Sequence, residues 1–204
     1  NADFGKQDER RASMKILLKL HEGKKKVDHC FSLRERLQYY EDICLEGGGE
    51  IPYQDYEKMK SDREKMLLFT EKNASPLCLC HIDAVQDNFI FTKEGVKMID
   101  WEYAGMQDPD LDIAMFSIYS LYERDQIDNL ISIYYENKVD LVTKYKIYAY
   151  VAIAGLLWSN WCEYKRLLGV DFGEYSLKQY RYAKVYYRIV QDEYLSHQKG
   201  ENHE

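Results

Sequence analysis

The sequence predicts a mainly helical α+β fold in which a small β-hairpin core is set into a helical body. Three observations lead there. Apolar residues recur at helical spacing along most of the chain. A single stretch, Phe89 to Ile99, carries β-forming runs on either side of a Gly turn. Three prolines and eleven glycines in 204 residues leave few breaks between helices. A hydrophobic fraction of 46% beside 31% charged residues is that of an ordinary globular protein. With no internal repeat and no low-complexity linker, residues 1–204 read as one domain.

Each element follows from its own residues. Asp8 to His21 is an amphipathic helix, with Met14, Ile16, Leu17, Leu18 and Leu20 among Lys and Arg. Glu22 to Lys26 is a charged loop, its Lys24-Lys25-Lys26 run a solvated turn. Ser32 with Glu35 has the spacing of a capping box and opens a helix carrying Leu33, Leu37, Tyr40, Ile43 and Cys44; Gly47-Gly48-Gly49 ends it. A further helix runs from about Tyr53 to Lys72 and breaks over Asn73 to Pro76. The runs Phe89 to Phe91 and Val96 to Ile99 flank Lys93-Glu94-Gly95 as a hairpin. Asp108-Pro109 starts the next helix, since Asp suits the N-cap and Pro the first turn. Asp125 to Glu136 is helical, and Asp140 opens the longest helix, to about Leu168, apolar nearly all round and therefore buried. Gly169 to Gly173 is a loop, and Ser176 to His197 a Tyr-rich closing helix.

Composition narrows the function. A net charge of −7 argues against a nucleic-acid surface, which needs clustered Lys and Arg. The longest apolar run, Ile147 to Trp158, is too short to span a bilayer, so no membrane role is expected. Five cysteines at no scaffold-like spacing read as free thiols in a reducing cytoplasm. Cys78-x-Cys80 in a strand-like run puts both thiols on one face, and next to His81 no second Cys/His pair completes a zinc set.

The chemistry concentrates between Leu79 and Phe116. His81-x-Asp83 is followed by Asn88 and, across the hairpin, by Asp100. A hairpin returns the loop before it and the loop after it to one end, which gathers Asp83, Asn88 and Asp100. Such oxygen-bearing side chains suit phosphoryl transfer, where Mg²⁺ bridges protein oxygens to phosphates. Asn88 and Asp100 are candidate metal ligands, and Asp83 is a candidate acceptor of the proton from an attacking hydroxyl.

These residues resemble the kinase catalytic loop, H-x-D-x-x-x-x-N, with a second Asp beyond a hairpin. The second Asp sits in Ile99-Asp100-Trp101-Glu102-Tyr103-Ala104-Gly105 rather than in D-F-G, and Asp108-Pro109-Asp110-Leu111-Asp112-Ile113-Ala114 follows. That pairing is similar to the choline/ethanolamine kinase family of the bacterial choline kinase type, kin of the aminoglycoside phosphotransferases within the protein-kinase-like superfamily. The resemblance implies the C-terminal lobe of a protein-kinase-like fold, ATP as co-substrate, Mg²⁺ as cofactor, and transfer of the γ-phosphoryl group to choline or a related amino alcohol. Position 82 is Ile where the family often has Asn, and position 87 is Asp where it often has Gly.

For the acceptor, a permanent cation without hydrogen-bond donors calls for aromatic faces and carboxylates. Trp158 and Trp161, three apart on one helix face, match the W-x-x-W pair of the family's choline pocket, and Tyr103 matches a further pocket aromatic. Tyr119, Tyr122 and Tyr175 rank below them. The resemblance makes His81 and Asp112 supports of the catalytic loop. Glu102 either offsets the ammonium charge or holds a turn. Nothing before residue 79 reads as a nucleotide-binding sheet, so the expectation is a chain that lacks the N-terminal lobe and is nearly inactive alone. The alternatives are an aminoglycoside or other small-metabolite phosphotransferase, and a non-catalytic pseudokinase or binding module.

Overall fold

The computed structural model describes residues 3, 5–48 and 51–201, so Gly49 of the predicted helix end lies outside it. Eight α-helices and four short strands occur in these residues. They divide into two compact units, one from Asn1–Phe31 and Ala74–Ile147, the other from Ser32–Asn73 and Tyr148–Glu204. The helical body with its small antiparallel pairings is the predicted fold class.

The first unit opens with α1, Gln7–His21, which buries Met14, Leu17 and His21, one stripe of its surface. Strand β1, Cys78–Cys80, leads through a loop into the hairpin of β2, Phe89–Thr92, and β3, Gly95–Met98, with Phe89 opposite Met98 and Thr92 opposite Gly95. A fourth strand, β4, Gly105–Gln107, pairs antiparallel with β1. Its Gly-Met-Gln sequence has no strand pattern; it is extended because both of its sides find partners. On the second side, Phe31 N–H donates to the Met106 carbonyl at 3.2 Å and Met106 N–H to the His29 carbonyl at 3.0 Å. A Cβ on Gly105 would stand 3.0 Å from the Phe31 nitrogen, so this approach requires glycine.

Helix α4, Asp110–Tyr119, is buried along its whole length up to Ile118, which makes it the core of this unit. Pro109 rather than Asp108 holds the N-cap position, and Asp108 Oδ1, one residue earlier, accepts the Asp110 N–H at 3.0 Å. Helix α5, Arg124–Tyr134, packs against α1 and α4.

In the second unit, Ser32 Oγ accepts the Glu35 N–H at 3.2 Å and caps α2, Leu33–Glu46. Helix α3 covers Tyr56–Lys72, beginning three residues later than its apolar pattern suggests. Tyr53 is drawn out of the helix by stacking on Tyr180, with ring centroids 3.7 Å apart at 8°. Helix α6, Leu141–Leu167, has 27 residues, gives its first turns to the first unit and the rest to the second, and is buried without a break from Lys146 to Asn160. Its Gly155 lies where α7, Glu174–Val190, crosses; an added Cβ would be 2.7 Å from the Gln179 carbonyl oxygen. The predicted closing helix is interrupted by a π turn at Gln191–Leu195, followed by α8, Ser196–Glu201. At that turn Ser196 Oγ donates to the Gln191 carbonyl at 2.7 Å and competes for a backbone acceptor.

Candidate active site

The loop between β1 and β2 holds its shape through one carboxylate. Asp112, in the first turn of α4 and fully buried, accepts the His81 N–H on Oδ2 at 2.8 Å and the Ile82 N–H on Oδ1 at 2.7 Å. Oδ2 also takes the His21 Nε2–H at 2.9 Å, and His21 Nδ1 meets the Tyr134 hydroxyl at 2.6 Å. Burial alone would lower the His21 pKa, but the hydrogen bond and charge of Asp112 carry it upward. Three donors on one carboxylate tie α1, the loop and α4 together. The His81 ring reaches the other side of the hairpin, donating from Nε2 to the Ile99 carbonyl at 2.9 Å, and packs against Trp101 with centroids 4.7 Å apart.

Replacing Asp112 by Asn should test this brace. The amide keeps one acceptor oxygen, so at least one buried loop N–H loses its partner, at a cost of about 1–3 kcal/mol. Urea denaturation of the variant against the parent reads that loss; unchanged stability would mean that the loop does not depend on Asp112.

Within the braced loop, Asn88 Nδ2 donates to Asp83 Oδ2 at 2.9 Å and to the Asp83 carbonyl at 2.9 Å. With its amide nitrogen so engaged, Asn88 keeps its side-chain oxygen for a hard cation. The Asn88 carbonyl accepts the Ile99 N–H at 3.1 Å, which draws the chain just before Asp100 back beside Asn88 at the open end of the hairpin. Asp83 and Asn88 are thus joined directly, and Asp100, exposed, follows the residue paired with Asn88.

Two backbone conformations mark the site. Ile82 has φ 68° and Asp100 φ 61°. Asp tolerates the left-handed region; a β-branched residue does not. Here Ile82 accepts strain of about 1–3 kcal/mol, held by complete burial of its side chain and by the bond from its N–H to Asp112.

Beneath the site lies a buried ion cluster that pattern reading missed. Lys146 Nζ is 2.8 Å from Asp108 Oδ2, 2.9 Å from Asp110 Oδ2 and 2.8 Å from Ser75 Oγ. Asp108 Oδ2 also accepts the Ser75 N–H at 2.9 Å, and Tyr135 donates its hydroxyl to Asp110. Burial raises the Asp110 pKa, with Lys146 pulling the other way. The available signal was a lone Lys at the edge of an otherwise apolar helical run.

The predicted acceptor residues fall in both units. In the first, Tyr103 is half-buried and Glu102 exposed, both in the turn before β4. Tyr119 ends α4, and Tyr122 is buried beyond it, with the Arg10 guanidinium 5.9 Å from its ring centroid. In the second, Trp158 and Trp161 meet edge to face at 5.4 Å and 88°. Phe172 extends the group, 4.9 Å from Trp161 and 6.3 Å from Tyr175, and Lys165 Nζ stands 5.3 Å from the Trp161 centroid. Phe172 was missed because a single aromatic between loop glycines has no periodicity to betray it.

The chain is similar to known proteins. A family model described as choline/ethanolamine kinase matches residues 14–152. Protein LicA of Haemophilus influenzae is 26% identical over 170 residues, which cover 80% of this chain and 63% of that protein. The crystal structure of choline kinase LicA from Streptococcus pneumoniae superposes with a TM-score of 0.74 at 28% identity, covering 87% of this chain and 62% of that one. A LicA structure in complex with AMP gives 0.73 at 29% identity, covering 85% of this chain and 60% of that one. The chain therefore spans less than two thirds of the length of these relatives.

Proposed function

The chain belongs to the choline/ethanolamine kinase family, and from that premise we propose that its parent protein transfers the γ-phosphoryl group of ATP to the hydroxyl of choline or a related amino alcohol. The observation that carries the reading is the Asn88–Asp83 side-chain bond inside a loop braced by Asp112. It presents a carboxylate and an amide oxygen side by side, the pair that an in-line phosphoryl transfer uses.

Asp83 orients the acceptor hydroxyl and takes its proton as the oxygen attacks the γ-phosphorus and the bond to the ADP oxygen breaks. Asn88 and Asp100 offer hard oxygen donors of the kind Mg²⁺ selects; the ion, when bound, neutralises charge on the phosphates. Asp112 and His81 keep the loop in register. Trp158 and Trp161 in one unit and Tyr103 in the other are each candidate contacts for an ammonium group in this reading, with Tyr119 and Tyr122 as lower-ranked aromatics and Glu102 as a carboxylate in the turn before β4. A relative solved as a choline kinase supports the acceptor class, and one solved with AMP supports the nucleotide.

The test is ADP release by the full-length protein with Mg²⁺ and ATP, offered choline, ethanolamine or an aminoglycoside in turn. Choline-dependent release, with the aminoglycoside no better than buffer, is the expected result. Release that depends on the aminoglycoside alone would replace the acceptor, and ATP turnover with none of the three would remove it.

A further inference from the structure

The thiols of Cys78 and Cys80 project from the same face of β1, as alternation along a strand requires, and their sulfurs are 3.8 Å apart. Helix α1 packs against this strand and brings His21 with it. One imidazole nitrogen and the two sulfurs all lie within 4.8 Å of one another. His81, the neighbour in sequence, is turned to the hairpin instead, through its bond to Ile99.

From this arrangement we propose that His21, Cys78 and Cys80 form a binding site for Zn²⁺, separate from the candidate active site and independent of the phosphotransferase reading. Two thiolates bound at about 2.3 Å to one tetrahedral ion stand about 3.8 Å apart, the separation already present. Two thiolates and a neutral imidazole around a divalent cation sum to zero charge, which a buried position tolerates far better than a bare ion. Both thiol protons leave to solvent as the ion enters, and Cys80 gives up its weak S–H bond to the Gln107 carbonyl.

The imidazole already has the outer carboxylate partner that metal-bound histidines have. Its Nε2–H is held by the Asp112 carboxylate, which fixes the ring and leaves Nδ1 as the nitrogen with a lone pair. Nδ1 now meets the Tyr134 hydroxyl at 2.6 Å, so the ion replaces that hydrogen bond. Three protein ligands leave a fourth position for water. Because β1 runs directly into the loop at His81, an ion here would fasten α1 to the strand that feeds the catalytic Asp.

Cobalt(II) is the probe, since thiolate ligation gives intense near-ultraviolet charge-transfer absorption that oxygen ligands at Asn88 and Asp100 cannot produce. The protein is stripped with a chelator, kept reduced, and titrated with Co²⁺ in excess Mg²⁺. The site should fill at one equivalent with tetrahedral visible bands, and Zn²⁺ should bleach them. Cys78 is only half-buried, so Cys78→Ser should fold, checked by circular dichroism. It should bind Co²⁺ at least tenfold more weakly, with about half the charge-transfer intensity per ion. Tyr134→Phe, which frees Nδ1, should bind more tightly, and Cys30→Ser, at an exposed cysteine outside the cluster, should bind as the parent does. No charge-transfer band, a band unchanged in Cys78→Ser, or affinity in Tyr134→Phe no higher than the parent's would each overturn the proposal.

Discussion

Asp83→Asn in the full-length protein is expected to lower kcat for choline phosphorylation by about 10²- to 10⁴-fold, the usual contribution of a positioned base. The substitution is nearly isosteric. The amide oxygen still accepts from Asn88 Nδ2, and the Asp83 carbonyl keeps its second bond from the same group. Loop geometry and thermal midpoint should therefore stay near those of the parent, and the KM for choline should change little. What disappears is an atom able to take up the acceptor's proton. Steady-state kinetics with melting curves separates the cases: lost turnover with an unchanged midpoint supports the role, and retained turnover refutes it.

Lys146→Met is expected to be the most damaging single change to stability, at about 3–5 kcal/mol, the cost of breaking a buried ion pair by removing one partner. Methionine fills much of the space but leaves Asp108 and Asp110 buried without their cation. The sign of the pH effect follows from Asp110, whose pKa burial already raises. A carboxyl with a folded pKa above its unfolded value binds a proton more readily when folded. Its penalty is thus absent below the unfolded value, near 3.8, and grows as pH rises through the folded value. The deficit of Lys146→Met in urea unfolding should shrink as pH falls toward 4, and the triple variant Lys146→Met, Asp108→Asn, Asp110→Asn should recover much of it at neutral pH. A deficit that is large at pH 4 and unchanged at pH 7 would assign the loss to packing rather than to charge.

Much of the local structure was legible because its causes are local. The cap at Ser32, the Asp108-Pro109 start of α4 and the Gly turn of the hairpin each act within one or two turns of chain. Elements whose partners are remote were not legible. Strand β4 is a strand only because β1 and residues 29–31 lie on either side of it. Tyr53 leaves its helix for a ring far along the chain. Lys146 looks in sequence like an interruption of an apolar helix, and becomes the centre of the ion cluster only when Ser75, Asp108 and Asp110 surround it.

The residues alone determined the helical class, the hairpin, and the spacing of Asp83, Asn88 and Asp100 along the chain, because backbone propensity and side-chain period act over a few residues. Tertiary structure decided which distant side chains share a carboxylate or a cation. It set His21 and two loop amides on Asp112, gave Lys146 its two aspartates, and brought His21 rather than His81 to the thiols of β1. The reason is that a buried charge or polar hydrogen accepts whatever partner the packing of α1, β1 and α4 places beside it, and no short-range pattern encodes that choice.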